Sequence, residues 1–146
     1  MYKRQALRWF RAYLSHRRAR VRCGSAVSEY HAFEAGTPQG GVCGPMLATV
    51  YLNEIVQALQ AHLPPGSVEV FLYADDLAAI FRGKSLAAIR RTAQQFLDNL
   101  EAFADENSLT VNLDKGKTEY CVVAKKPLDP GARPALRYGA RPLAYS

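Results

Sequence analysis

Two adjacent carboxylates, Asp75 and Asp76, lie inside an otherwise apolar segment, FLYADDLAAIF at residues 71–81. Removing an ionised carboxylate from water costs free energy, and two neighbouring carboxylates repel each other. Three kinds of site keep such a pair: a solvated turn, an acid–base pair in which one pKa is raised, and a divalent-cation site in which the metal's charge offsets the repulsion. The flanking residues help to choose among them.

The segments on either side of the acid pair predict a β-hairpin. Val68, Val70 and Leu72 alternate with other residues in SVEVFLY, at 67–73, and the apolar LAAIF, at 77–81, has Ala79 and Phe81 two positions apart. This period of two is typical of half-buried strands, so we expect Asp75 and Asp76 at or beside the turn. Strands held on a core weaken the interpretation of the pair as an ordinary solvated turn, although that interpretation stays open.

A glycine- and proline-rich segment, GTPQGGVCGP at residues 36–45, predicts a loop that leads directly into a helix. Residues 46–63 then carry apolar side chains at helical spacing, and the prolines at 64 and 65 end the predicted helix. A glycine-rich loop at a helix N-terminus presents bare backbone N–H groups that can bind an anion. The alternative is a plain turn at the start of a helix.

Two further helices and a strand pair are predicted in the rest of the first 108 residues. Apolar residues at helical spacing predict helices over residues 3–16 and within 85–108, the second with Ser85 as its N-cap. Alternation over residues 18–33 predicts two strands joined by a turn at Gly24-Ser25.

The C-terminal part predicts less regular structure. Two short strands are expected in LTVNL, at 109–113, and TEYCVVA, at 118–124, separated by a basic loop at 114–117. Residues 125–146 are proline-rich and predict a loop or linker with one short strand pair. The order of elements predicts an α+β domain in which helices pack on one face of a mainly antiparallel sheet.

Basic residues concentrate at the N-terminus. The net charge is +6, and residues 1–22 hold eight of the nineteen Lys and Arg residues and no acid, which leaves eleven basic and thirteen acidic residues elsewhere. Side chains two apart in a strand share a face, so Arg18, Arg20 and Arg22 would form a basic stripe. This lobe predicts a polyanionic partner, and the alternative is a solvated helix face.

Composition argues against several other classes of protein. The three cysteines are odd in number, far apart and without CxxC spacing, which argues against a disulfide framework or zinc site and favours buried thiols. The three histidines are equally scattered. No apolar run approaches the roughly 20 residues of a membrane helix, so we expect an intracellular protein, in the nucleus or cytoplasm, without a membrane partner.

These motifs together resemble the central palm of a reverse transcriptase of the non-LTR retrotransposon type. The resemblance rests on WFRAYLSHRRARVR at 9–22, the glycine loop, YADD at 73–76 and LTVNLDKGKTEY at 109–120, in that order. It implies a partial polymerase palm without fingers or thumb. The implied parts are a basic helix and hairpin at 1–34, a palm core at 35–124, and a connector at 125–146 toward a missing thumb.

The resemblance also implies roles for individual residues of the YADD hairpin. Asp75 would be a catalytic magnesium ligand, and Asp76 would be the second catalytic aspartate, beside the metals. Tyr73 would pack near the primer end. The complete enzyme would hold two Mg²⁺ ions and would use an RNA template, a DNA primer and deoxynucleotides for two-metal nucleotidyl transfer.

Outside the hairpin, the implied site includes a glycine loop and a lysine. The loop residues that would contact the incoming nucleotide and template are Gly36, Pro38, Gln39 and Gly40. Lys117 would reach the nucleotide phosphates, although Lys115 fits the family's usual spacing from Asn112 better. Arg18, Arg20 and Arg22 would contact the nucleic-acid backbone. Gly41 departs from the pattern, which often has serine at this place.

The main departure is a missing aspartate. The family places a further aspartate on a strand before the glycine loop, where this chain has only Glu29 and Glu34 as acids. Two metals a few ångströms apart need several anionic ligands. We therefore predict a fragment of a retroelement reverse transcriptase that has no polymerase activity alone.

Two other functions are compatible with parts of the sequence. One is a non-catalytic nucleic-acid-binding remnant that uses the basic N-terminal lobe. The other is a nucleotide cyclase, which also carries acids on a hairpin, but its hairpin motif is glycine-rich and residues 71–76 contain no glycine.

Overall fold

The computed structural model describes residues 2–38, 40–124 and 130–146, so Met1, Gln39 and residues 125–129 lie outside the described part of the chain. The chain divides into two compact units, Met1–Ala48 and Thr49–Ser146. The helix Gly44–Leu52 begins in the first unit and ends in the second.

The first unit contains one helix and a two-stranded ribbon. Helix α1 spans Tyr2–Leu14, within one or two residues of the prediction, and its apolar side chains recur at helical spacing. The ribbon consists of β1 (Arg17–Ala19), β2 (Arg22–Cys23), β3 (Ala26–Val27) and β4 (His31–Phe33). Strand β1 pairs antiparallel with β4 and β2 with β3, which confirms the predicted strand pair.

A bulge interrupts the ribbon between its two halves. Ala19 lies opposite His31 and Arg22 opposite Val27, so two residues on the first strand face three on the second. Ser28 closes the gap: its backbone N–H donates to the Val21 carbonyl at 2.9 Å, and its Oγ accepts from the Val21 N–H at 2.9 Å. At the tip, Gly24 has φ +60° at the first of two turn positions, the arrangement of a type II′ turn.

The predicted loop at 36–45 leads into helix α2, Gly44–Leu52, but the continuous helix predicted over 46–63 is wrong. The chain breaks at Asn53, whose N–H donates to the Val50 carbonyl three residues back, and continues as α3, Ile55–Gln60. Asparagine is a poor helix former. The Tyr51 hydroxyl, moreover, donates to the Asn107 carbonyl at 2.5 Å, and this long-range bond fixes the end of α2.

The second unit is built on a hairpin and a long helix. Strands β5 (Val68–Tyr73) and β6 (Asp76–Phe81) pair antiparallel, and α4 spans Leu86–Glu106. The Ser85 Oγ accepts from the Ala88 N–H at 3.2 Å, which confirms the predicted N-cap.

Helices α3 and α4 cover one face of the hairpin, and the core lies between them. The buried core residues are Ile55, Leu59, Val68, Phe96, Leu100 and Phe103. Leu59 has no exposed surface, and burying a side chain of this size stabilises the fold by about 1.5–3 kcal/mol. This helix-on-hairpin arrangement confirms the predicted α+β class and partial palm-like fold.

The C-terminal segments pair differently from the prediction. Residues 109–113 form no strand, and only Glu119–Tyr120 (β7) of the next segment is extended in a sheet. Strand β7 pairs parallel with β10, Ala144–Tyr145, while β8 (Arg137–Tyr138) and β9 (Arg141–Pro142) form a small antiparallel hairpin. The described strands thus pair in twos, four pairs antiparallel and one parallel, instead of forming one continuous sheet.

All three cysteines are free, and the prediction of buried thiols is wrong for Cys23 and Cys121, which are exposed. Cys43 is half-buried. No helix among residues 2–38, 40–124 and 130–146 is both long and apolar enough to cross a membrane.

Candidate active site

The acid pair lies at the tip of the β5–β6 hairpin. The ladder ends with Tyr73 opposite Asp76, which leaves Ala74 and Asp75 as a two-residue turn. Ala74 has φ +54°, and no glycine occupies this turn. A positive φ costs an L-residue about 1–2 kcal/mol. The hairpin therefore holds its tip in a strained conformation next to the two acids.

Tyr73 and Asp76 share the hairpin face that points away from the core. Directly opposite residues of an antiparallel pair have Cβ atoms about 4.5–5.5 Å apart, so the two side chains are neighbours. Tyr73 is 84% exposed, and both aspartates are exposed. Phe71, two residues earlier on the same face, is 53% exposed. Phe71 carries no functional signal in the sequence beyond the strand alternation that places it on the Tyr73 face.

The two aspartates alone do not make up a complete divalent-metal site. The described residues contain no group of three or more His, Cys, Asp or Glu side chains that could hold a metal ion. Two ions a few ångströms apart need more anionic ligands than one carboxylate pair supplies. The donor chemistry suits a hard cation such as Mg²⁺, but the described residues do not fit two ions.

The opposite end of the hairpin is closed by an ion pair. The Arg82 guanidinium donates to both Glu69 carboxylate oxygens, at 2.5 and 3.1 Å. These hydrogen bonds, and then the positive charge of Arg82, hold the pKa of Glu69 below its usual value. The pair ties β5 to the residue after β6 and helps fix the register that sets the tip.

In the glycine loop, Gly36 and Gly40 have φ values of +78° and +76°. A Cβ added at either residue would meet nothing within 4 Å, so the backbone conformation, not crowding within the chain, requires glycine. The Gly41 N–H donates to the Pro38 carbonyl at 3.3 Å, and the Gly44 N–H donates to the Gly41 carbonyl at 3.1 Å. Gln39 lies outside the described residues.

The candidate phosphate lysines lie in a turn before β7. Lys115 and Lys117 are both exposed, and the Lys117 N–H donates to the Asp114 carbonyl at 3.0 Å. Gly116 between them has φ +79°, and its N–H donates to the Glu119 Oε1 at 2.9 Å. Both ammonium groups are therefore presented to solvent from a turn of fixed shape.

The arginine stripe lies on the ribbon of the first unit. Arg18 is in β1, Arg22 is in β2, and Arg20 lies between them; all three are exposed. The Arg20 guanidinium lies over the Tyr30 ring, 4.8 Å from its centroid. Arg17 has a different role, because its guanidinium donates to the Leu14 and Ala35 carbonyls and so ties the end of α1 to the base of the ribbon.

Residues 2–137 match the family described as reverse transcriptase (RNA-dependent DNA polymerase). The chain is 28% identical over 110 residues to the RNA-directed DNA polymerase from mobile element jockey of Drosophila melanogaster, an alignment that covers 72% of this chain and 12% of the relative. It is 31% identical over 106 residues to the probable RNA-directed DNA polymerase from transposon BS of the same species, with the same coverage of 72% and 12%.

The jockey polymerase of Drosophila funebris is 26% identical over 112 residues, which cover 76% of this chain and 12% of that protein. The chain thus spans about an eighth of the length of the curated relatives it matches. No solved structure matches it. The family match covers nearly the whole chain and confirms the resemblance seen in the motifs, so the chain belongs to the reverse transcriptase (RNA-dependent DNA polymerase) family.

Proposed function

We propose that this chain is a segment of a retroelement reverse transcriptase that copies an RNA template into DNA from a DNA primer and deoxynucleotides. The observation that carries the proposal is the exposed Tyr73, Asp75 and Asp76 at the strained tip of a half-buried hairpin, in a chain whose residues 2–137 match the family. A tip held by a strand ladder that extends to Tyr73 and Asp76 presents carboxylates to a ligand with little loss of conformational entropy.

In that function, the chemistry of each residue of the candidate site suggests its role. Asp75 and Asp76 supply part of the anionic ligand set for Mg²⁺, which when bound stabilises the charge on a transferring phosphoryl group. The exposed Tyr73 ring offers an apolar surface beside them. The open backbone of the glycine loop admits a nucleotide closely, and Lys117 or Lys115 neutralises phosphate charge.

We further propose that the 146-residue chain has no polymerase activity by itself. One carboxylate pair leaves a two-metal site short of ligands. Purified chain, a primed RNA, deoxynucleotides and Mg²⁺ should therefore yield no extended primer. Templated extension that is lost on Asp75→Asn would contradict this part of the proposal.

Binding of a fluorescent primed RNA, followed by anisotropy over a range of salt, tests the interface. Replacing Arg18, Arg20 and Arg22 by Gln should lower the slope of log K against log salt by about 2–3, since each phosphate contact contributes about 0.7–0.9. The control replaces the exposed Arg90, Arg91 and Arg141, changes the charge equally, and should change the slope by less than about 1.

The same assay separates the polymerase segment from a second candidate, a nucleic-acid-binding remnant. The second candidate is favoured by the exposed arginine stripe, which lies in the first unit, whereas the acid pair lies in the second. In a polymerase segment, Mg²⁺ strengthens binding and the double change Asp75→Asn and Asp76→Asn removes that effect. In a remnant the double change leaves binding unaltered at every Mg²⁺ concentration. Absence of binding by the unaltered chain would contradict both.

A further inference from the structure

The Tyr13 hydroxyl of helix α1 lies next to Gly41 of the glycine loop. A Cβ added at Gly41 would lie 2.7 Å from the Tyr13 Oη and 3.3 Å from the Pro38 carbonyl oxygen. Gly41 is not among the glycines with positive φ. The requirement for glycine here is therefore steric, unlike that at Gly36 and Gly40, where the backbone angle requires it.

The hydroxyl accounts for most of this crowding. The next Tyr13 atom, Cζ, lies 4.0 Å from the added Cβ, an ordinary van der Waals distance. The Tyr13 ring is half-buried and stacks on the Trp9 ring, with centroids 5.2 Å apart and planes 9° from parallel. The ring therefore cannot move away from Gly41 without loss of the stacking contact.

Gly41 also links the two ends of the loop. Its N–H donates to the Pro38 carbonyl, and its carbonyl accepts from the N–H of Gly44, the first residue of α2. A shift of the backbone at Gly41 would move Pro38 on one side and the start of α2 on the other. A side chain at position 41 that pushes against the Tyr13 hydroxyl would therefore displace both.

We propose that Tyr13 is a positioning residue for the glycine loop, and that its hydroxyl occupies the volume that a side chain at position 41 would need. That this loop contacts nucleotide and template rests on the proposed function. Tyr13 itself acts through the backbone at Gly41.

The test combines Gly41→Ala, Tyr13→Phe and the double variant in the full chain, with Gly131→Ala as the control. Gly131 also lacks a positive φ, and a Cβ added there would meet nothing within 4 Å. Trp9 is the single tryptophan and reports the stacking contact by its fluorescence. Anisotropy of primed RNA reports the loop's function, and circular dichroism checks that each variant is folded.

Gly41→Ala should shift the Trp9 emission and weaken RNA binding about tenfold, which corresponds to about 1.4 kcal/mol. Tyr13→Phe in the same chain should return both readouts to within about twofold of the unaltered protein, because the nearest ring atom is then at ordinary contact distance. Gly131→Ala should change neither readout.

Two results would overturn the proposal. If Gly41→Ala behaves like Gly131→Ala in fluorescence, the hydroxyl does not crowd position 41. If the double variant is as impaired as Gly41→Ala alone, the constraint comes from the Pro38 carbonyl and not from Tyr13. Should the unaltered chain fail to bind primed RNA, the proposed function is contradicted, while the fluorescence of the four variants still decides the role of Tyr13.

Discussion

Replacing Ala74 by glycine should reveal the strain stored at the tip of the β5–β6 hairpin. Ala74 has φ +54° at the first position of a two-residue turn. Relief of this conformation gains about 1–2 kcal/mol, while the greater entropy of glycine in the unfolded chain costs about 0.5–1 kcal/mol. Ala74→Gly should therefore leave the free energy of unfolding unchanged or raise it by up to about 1.5 kcal/mol.

A matched variant isolates the strain. Ala78 is exposed, lies on the same hairpin opposite Phe71 and has no positive φ. Ala78→Gly has the same effect on the unfolded chain but relieves no strain, so it should lower the free energy of unfolding by about 0.5–1 kcal/mol. The difference between the two variants is then the strain itself, about 1–2 kcal/mol.

Urea denaturation followed by circular dichroism measures both variants, and thermal unfolding should separate them by about 4 °C per kcal/mol for a chain of this size. The variants must be compared at equal m-value so that a change in the unfolded state is not mistaken for stability. If Ala74→Gly is as destabilising as Ala78→Gly, the turn is not strained.

Three further predictions concern the second unit. Leu59→Ala removes a side chain with no exposed surface and should lower the free energy of unfolding by about 2–5 kcal/mol. The control Leu109→Ala, at a site 37% exposed, should lower it much less, and denaturant titration measures both. Because Arg82 lowers the pKa of Glu69, the stability from this pair is present above the ordinary glutamate pKa of 4.5 and is lost as pH falls through the lowered value. Glu69→Gln should therefore weaken the dependence of the unfolding midpoint on acid pH, and an unchanged dependence would contradict the pairing. Burial, and then two carboxylates on α4, raise the pKa of Tyr138 above 10.0, so the stability from its protonated form is lost as pH rises through the raised pKa. Tyr138→Phe should make the fold less sensitive to alkali, which denaturation at high pH measures.

Elements encoded by local pattern could be predicted from the sequence. Helix α4 repeats apolar residues along its whole length and begins with the Ser85 cap, so its start and its buried face both follow from short-range signals. Less exposed and exposed side chains alternate along the β5–β6 hairpin on either side of the acids, and Val70, Leu72, Ala79 and Phe81 face the core. These signals need no distant partner to take effect.

Elements that depend on distant partners could not be predicted from the sequence. Residues 109–113 alternate like a strand, but a strand needs a neighbour to pair with, and here the Asn112 carbonyl instead accepts from the Thr118 hydroxyl at 2.5 Å. The parallel pairing of β7 with β10 joins segments on either side of a proline-rich stretch, and no local signal predicts it. The break after α2 likewise depends on the Tyr51 bond to Asn107.

Some features of the candidate site could likewise be predicted from local sequence, and others could not. The place of Asp75 and Asp76 at the hairpin tip followed from alternation, whereas the positive φ of Ala74 did not, because alanine gives no signal for it. The contact of Gly41 with Tyr13 joins residues 28 positions apart and was equally invisible in the sequence. The glycines at positions 36 and 40, by contrast, predict a loop, and both have the positive φ values of a turn.

The most direct test of the central claim is a Mn²⁺ titration of the isotopically labelled chain followed by amide NMR, with Mn²⁺ as a paramagnetic substitute for Mg²⁺. A polymerase segment that holds one side of a metal site should show broadening centred on Asp75 and Asp76, with a dissociation constant on the order of 10⁻³ M. Mg²⁺ should compete, and Asp75→Asn with Asp76→Asn should abolish the effect. Broadening that is absent from the tip, or tight binding of two ions there, would contradict the account.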